Sequence, residues 1–306
     1  MEQKLIKNEI EIIIVDGLSD DGTREILFDI QKKDSRIIVI DNVKKITPVA
    51  LNLGVKKAAG DYIFILGAHA KITNDYVANC FQIFENHDDV SCAGGPITSI
   101  SNSALGKAIA LAMSSSIGIG NAKHRFPDYE GYAEMACFPV FKKEVFNQIG
   151  YFDEELIRNQ DDDFSFRLRK SGGKIYISSR VKSFYFVRES IISLFKQYYQ
   201  YGFWRIALLK KHKLPIALRQ QIPFLFFSLV LILFFIGIFL NDLKISFALP
   251  GLYLLILILY TLKILIVEKK LYSRWLPLVI FSLHFSYGLG FAVGIIKKIV
   301  LKKYHY

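Results

Sequence analysis

Three long apolar runs crowd the last third of this chain, and they limit its fold more than any other feature. Residues 222–240 carry no charge over 19 positions. As a helix that run is about 28 Å long, close to the hydrocarbon core of a bilayer. A second run, 247–267, has Pro250 near its start and Lys263 near its end. A third, 275–296, is interrupted by Pro277, His284, Gly288, Gly290 and Gly294. One such run would fit a buried helix in a soluble core. Three within about 75 residues point to a membrane domain.

Charge sharpens this division. The chain has 306 residues and a net charge of +11, which taken whole resembles a nucleic-acid binder. Residues 1–200, however, hold 25 Lys and Arg against 26 Asp and Glu, whereas residues 201–306 hold 14 against 2. The basic excess lies in the apolar part, so the implied partner is a membrane and not a nucleic acid. Disorder is excluded by 25 Phe and 16 Tyr. A disulfide scaffold is excluded by three unpatterned cysteines, Cys80, Cys92 and Cys137. The first nine residues are polar and of mixed charge, unlike a signal peptide.

Lys and Arg near the run ends predict orientation. Arg205, Lys210, Lys211, Lys213 and Arg219 precede the first run, residues 241–244 carry no net charge, and Lys269, Lys270 and Arg274 follow the second. The expectation is a multi-pass protein of the cell membrane with its N-terminal domain in the cytoplasm. Lys297, Lys298, Lys302 and Lys303 also favour the inside, which three full spans cannot deliver. The glycine-broken third run is therefore the candidate re-entrant or interfacial element, and the expected number of spans is two or three.

The first 195 residues alternate strand and helix signals. Strands are expected at 10–15, 36–40, 61–66 and 174–177, and helices after 23, over 47–59 and within 153–172. Such alternation predicts an α/β domain with a mostly parallel sheet. The expected organisation is this domain over 1–195, a basic interfacial segment over 196–221, and a membrane domain over 222–306.

Several positions combine chemistry with a strand end. Asp16 closes the first strand, at the edge where open α/β sheets bind ligands. Its carboxylate either meets a nucleotide or belongs to the turn that starts the next helix, with Ser19, Asp20 and Asp21 as alternative caps. His69, in Gly67-Ala68-His69-Ala70, also follows a strand and suits a metal or phosphate, or is a plain loop residue. Asp161, Asp162 and Asp163 form the densest acidic run. They suit the first turn of a helix that ends in Arg167, Arg169 and Lys170, and a helix start beside a cleft also suits a general base. Gln197, Gln200, Trp204 and Arg205 lie in an aromatic stretch before the basic flank. That stretch fits an interfacial helix, or a surface that holds a sugar or pyrophosphate.

Taken together, these segments resemble the family 2 inverting glycosyltransferases of the GT-A (Rossmann-like) fold, in particular the membrane-attached succinoglycan and exopolysaccharide type. EIIIVDGLSDDGTREI (11–26) is similar to the family's nucleotide-binding strand and turn. DNVKKITPVALNLGVKKAAGDYIFI (41–65) is similar to the segment leading to its metal-site strand, with GAHA (67–70) in the place of Asp-Ala-His-Ala and GGP (94–96) following. GYFDEELIRNQDDDFSFRLRKSGGKI (150–175) resembles the stretch carrying the catalytic Glu-Asp, and QYGFWR (200–205) the stretch before the membrane part.

The resemblance implies transfer of a sugar from a nucleotide-sugar donor, UDP-hexose-like, to a lipid-linked or polysaccharide acceptor. Asp161 would be the general base, with Asp16, Asp21, Asn52 and Asp61 around the nucleotide sugar. Asp162, Asp163, Gln197, Gln200, Trp204 and Arg205 would lie toward the acceptor, and a divalent Mg or Mn ion near His69 would neutralise the leaving diphosphate.

Three departures stand against this. Gly67 replaces the first Asp of the metal motif, Gln160 replaces the Glu of Glu-Asp, and Cys137-Phe138 stands where paired histidines are usual. The family's opening strand and helix, roughly 30 residues, have only nine residues to occupy here. The expectation is either that the true start lies upstream or that the fold is truncated at its N-terminus, with neighbouring strand edges exposed. The competing expectation is an inactive, membrane-anchored fragment or scaffold. A transporter is disfavoured by the few spans and by Lys263, which can snorkel from a helix end.

Overall fold

In a computed structural model, residues 10–213 and 218–297 are described, apart from the side chains of 218 and 219. Lys298, Lys302 and Lys303 lie outside the described residues, as does the Arg219 side chain.

The chain begins β1 (Ile12–Asp16), α1 (Thr23–Lys33), β2 (Ile37–Asp41), α2 (Thr47–Lys57), β3 (Tyr62–Phe64), β4 (Ala70–Ile72) and α3 (Tyr76–Asn86). It continues β5 (Val90–Gly95), β6 (Ile97–Ile100), α4 (Ala104–Met113), α5 (Ser116–Ile119), β7 (Gly131–Tyr132), β8 (Cys137–Lys142) and α6 (Glu144–Ile149). After α7 (Gln160–Lys170), β9 (Lys174–Ile177) and β10 (Ser183–Phe186) come four long helices. These are α8 (Ile191–His212), α9 (Leu218–Phe239), α10 (Leu243–Val267) and α11 (Leu276–Ile295). Two compact units result: residues 1–98 with 123–185, and residues 99–122 with 186–306.

In the first unit, β1 and β2 pair in parallel, Asp16 opposite Asp41, as a two-stranded sheet of their own. The larger sheet has the order β3-β8-β5-β9-β7. Only β5 and β9 are parallel in it; β3–β8, β8–β5 and β9–β7 are antiparallel. The sheet is therefore mixed and not mostly parallel. The reason is β8, which enters between β3 and β5 from a stretch with no alternating pattern to mark it as a strand.

Side-chain alternation sends neighbours on one strand to opposite faces. On β8, Phe141 packs with Phe164, Phe146, Phe152 and Leu168 on one face, while Val140 joins Tyr76, Ile83 and Phe84 on the other. Cys92 and Ala93 divide in the same way on β5. The aromatic side is tightly stacked, with Phe152 and Phe164 centroids 4.5 Å apart and Phe141 and Phe164 5.1 Å apart. This packing fixes where α7 begins.

In the second unit, α9, α10 and residues 271–295 are each long and apolar enough to cross a membrane. Their surroundings differ: 6% of the first and 17% of the second is buried, against 50% of the third.

Candidate active site

Asp16 ends β1 with a side chain largely sealed from water. It accepts hydrogen bonds from Ser19 Oγ at 2.6 Å, from the Ser19 N–H at 3.0 Å and from Arg24 Nη1 at 3.0 Å. The Ser19 hydroxyl, the Ser19 N–H and Arg24 hold its carboxyl below the ordinary range, against the upward push of burial. Arg24 also reaches Asp41 at 2.9 Å. The two adjacent parallel strand ends are thus tied by one guanidinium on α1. Sequence reasoning missed Arg24 and Asp41, although both strands visibly end in Asp.

Asp21 accepts from the Thr23 N–H at 3.2 Å, an Asx-type turn beside Gly22, whose φ of 88° starts α1. Hydrogen bonds to Thr23 lower its carboxyl. Asn52 is buried on α2, and its amide clamps the loop before α7. Oδ1 accepts from the Phe152 N–H at 2.9 Å, and Nδ2 donates to the Phe152 carbonyl at 2.9 Å and to Glu154 at 3.2 Å. That arrangement uses the whole amide for folding. Asp61 is exposed at the start of β3, the opposite end of the strand from the Gly67 loop.

A second group gathers around the start of β8. An added Cβ on Gly67 would rest 3.7 Å from the Phe138 ring, an ordinary contact, so this exposed loop has room for a side chain there. Phe138 has φ 45°, a strained conformation for a bulky residue. Its carbonyl accepts from the buried Tyr76 hydroxyl at 2.7 Å, which helps hold the kink. Gly94 and Gly95 let β5 approach this region. A Cβ on Gly94 would press on Ala136, and one on Gly95 would collide with the Val181 carbonyl. The Cys137 thiol is pushed up to about 11, chiefly by burial; Arg125 opposes this, while Asp161 and Asp162 reinforce it. Structure therefore brings Gly67, Cys137-Phe138, Arg125 and the start of α7 into one neighbourhood.

The three acids of α7 are not equivalent. Asp163 is fully buried and pairs with Arg167 Nε at 2.8 Å. Arg167 in turn donates to the carbonyls of Ile149 (2.5 Å) and Tyr151 (2.7 Å). Asp163 thus holds the helix in place, and it is not presented to an acceptor. Asp162 is half-buried, and Asp161 is exposed, its Oδ1 accepting from the Asp162 N–H at 2.9 Å.

His69 is exposed and Gly67 offers no side-chain ligand. No group of three His, Cys, Asp or Glu side chains able to hold a metal occurs among the described residues. These residues do not fit a metal centre.

Gln197, Gln200, Trp204 and Arg205 all lie on α8 in the second unit. Trp204 is buried, and Gln197 Nε2 donates to the Tyr201 hydroxyl at 3.0 Å.

Residues 2–150 match the glycosyl transferase family 2 domain. The succinoglycan biosynthesis protein ExoA of Rhizobium meliloti is 32% identical over 219 residues, covering 69% of this chain and 64% of that protein. The chain thus spans somewhat less than two thirds of that relative. A Methanococcus voltae enzyme is 26% identical over 298 residues, covering 95% of this chain and 89% of its own. It is described as dolichyl N-acetyl-alpha-D-glucosaminyl phosphate 3-beta-D-2,3-diacetamido-2,3-dideoxy-beta-D-glucuronosyltransferase. Among solved structures, the mannosyltransferase PcManGT from Pyrobaculum calidifontis, in complex with GDP-Man and Mn2+, superposes with a TM-score of 0.59. That match is 15% identical and covers 99% of this chain and 81% of that one, a likeness of fold alone.

Proposed function

Since the chain carries a glycosyl transferase family 2 domain, we propose that it transfers a sugar from a nucleotide-sugar donor to a lipid-linked saccharide at the cytoplasmic face of a membrane. The relatives in succinoglycan synthesis and on dolichyl phosphate support the acceptor class. The basic residues Lys210, Lys211, Lys213, Lys269, Lys270 and Arg274 support the orientation, because cytoplasmic flanks carry the excess of Lys and Arg.

The observation that carries the chemistry is the exposed Asp161 carboxylate on the first turn of α7, beside Cys137. In the proposed step it takes the proton of the acceptor hydroxyl. The hydroxyl oxygen bonds to the anomeric carbon as the bond from that carbon to the diphosphate breaks on the opposite side. The configuration inverts, a nucleoside diphosphate leaves, and the proton ends on Asp161. Asp16, held ionised by Ser19 and Arg24, marks the nucleotide end of the site.

The test is sugar transfer from radiolabelled UDP-hexoses and GDP-mannose to endogenous lipid in membranes holding the full chain. Transfer that Asp161→Asn abolishes supports the reading; transfer indifferent to that change removes Asp161 as the base. A second reading, an inactive membrane-anchored scaffold, is favoured by Gly67 and by the separate β1–β2 sheet. Absence of transfer from a well-folded chain with every donor would select it.

A further inference from the structure

The four long helices of the second unit form two pairs of different character. In the first pair, α8 and α11 run in the same direction at close quarters. A side chain on Gly290 would strike the Tyr199 carbonyl, one on Gly202 the Tyr287 carbonyl, and one on Gly294 the Phe203 carbonyl. Phe195 faces Phe285 at 6.3 Å, and Lys297 lies over the Phe203 ring at 6.0 Å. From Phe195 with Phe285 to Phe203 and Ile206 with Gly294, partners rise in number together along both helices, so the axes stay close to parallel for about three turns. Whatever inclination α8 has to a membrane, α11 shares.

The stretch of α8 that runs beside α11 contains Lys196, Gln197, Gln200 and Arg205, and the helix ends in Lys210 and Lys211. Charges carried to the centre of a bilayer are costly and rare. An aromatic, cation-flanked helix of this kind belongs in the interface.

The second pair, α9 and α10, is an antiparallel hairpin. Ser246 Oγ donates to the Phe234 carbonyl at 3.2 Å, and Phe226 meets Tyr253 at 4.8 Å. Against this hairpin α11 crosses and does not follow. Phe281 and Phe285 both face Phe227, at 6.0 and 5.1 Å, Gly288 abuts the Pro223 carbonyl, and Phe291 faces Phe224 at 5.3 Å. About 15 Å of α11 therefore meets about 6 Å of α9. That short window lies toward the N-terminal end of α9, the end next to the basic flank. The Nε2–H of His284 donates to the Ile117 carbonyl at 3.0 Å and its Nδ1 accepts from the Tyr253 hydroxyl at 2.9 Å, which ties α11 to α5 as well as to α10. Leu278, Phe281, Phe285 and Leu289 form an apolar stripe along α11 that stays partly exposed even where Phe281 and Phe285 meet Phe227.

We propose that α11 lies in the plane of the membrane beside α8, with Leu278, Phe281, Phe285 and Leu289 dipped into the acyl chains of the cytoplasmic leaflet. Among the described residues, α9 and α10 are then the crossings. Lys297 then returns to the side of Lys269, Lys270 and Arg274, which removes the conflict that a third crossing creates with the charge rule. The proposal rests on the reading that α9 and α10 cross a membrane.

Epitope tags placed singly after Asn241, Lys269 and Tyr306 of the full chain, probed with antibody on intact and permeabilised cells, test both layers separately. The expected result is Asn241 outside, with Lys269 and Tyr306 inside. Tyr306 outside together with Asn241 outside overturns the in-plane placement alone. Asn241 inside overturns the hairpin crossing and the in-plane placement with it. Nitroxides at Leu278→Cys, Phe285→Cys and Ile296→Cys, with Cys80, Cys92 and Cys137 changed to Ala, supply an independent reading. Equal depths support the proposal; a steady change of depth amounting to about 27 Å across these positions overturns it.

Discussion

Asp161 and Asp163 stand two positions apart on the first turn of α7, and a helix turns such residues toward opposite sides. Asp163 points into the aromatic core, where Arg167 neutralises it and the carbonyls of Ile149 and Tyr151 satisfy the guanidinium. Asp161 points to water beside Cys137. The same contrast recurs at the strand ends, where Asp16 is enclosed by Ser19 and Arg24 while its neighbour in register, Asp41, is half exposed and shares that arginine. A carboxylate enclosed among built partners holds the fold, whereas an exposed one can be reached by substrate. Residue type alone does not separate the two.

The contrast is broken most sharply at Asp161. Asp161→Asn keeps an acceptor for the Asp162 N–H but removes the proposed base, so transfer should fall by about 10²–10⁴-fold, with the thermal midpoint unchanged. Initial rates and melting curves on the same preparation check this. Asp163→Ala should do the reverse. It leaves the Arg167 charge in a nearly enclosed site, a loss of about 3–5 kcal/mol for a broken buried pair, read as a large fall in melting temperature and in folded yield. If Asp163→Ala instead melted normally and lost only activity, the division drawn here would fail.

A smaller effect is expected at Asp16, whose carboxyl lies below its ordinary value of 3.8 because Ser19 and Arg24 favour the charged form. A depressed folded value means stability that is present above the unfolded value and is lost as pH falls through the folded one. The stability gap between wild type and Asp16→Asn should therefore be widest at neutral pH and should narrow below about pH 4. Melting temperatures across pH 3–7 measure it, and a gap independent of pH would refute the assignment. Least of all should Gly67→Asp disturb folding, because the nearest atom to an added Cβ is 3.7 Å away. The variant is expected to melt like the wild type and to gain Mn2+ binding by calorimetry. Unchanged binding would show that one carboxylate beside His69 is not enough to form a site.

Much of the fold was legible in the sequence wherever pattern is local. The expected strand at 174–177 coincides with β9, and those at 10–15 and 36–40 differ from β1 and β2 by a residue or two. The helix expected over 47–59 is α2, and the runs at 222–240, 247–267 and 275–296 are α9, α10 and α11. Strands β7 and β8 were not legible, because Gly131–Tyr132 is too short for any period and Cys137–Lys142 holds Pro139. At the site, Asp16, His69 and the acidic run could be singled out from strand ends and charge density. Arg24, Arg125 and the partners of Asn52 could not, since they meet through contacts 8 to 102 positions apart in the chain.

By itself, the sequence determined that this chain joins a nearly neutral α/β domain to a basic apolar tail, because composition and hydrophobic period are properties of short windows. It also determined the motif order that places the chain beside the family 2 glycosyltransferases. Only the tertiary structure decided which of three adjacent carboxylates is sealed, that the sheet is mixed, and that the third apolar helix packs along α8. Those outcomes depend on which distant side chain occupies the space beside each group, and no local window contains that information.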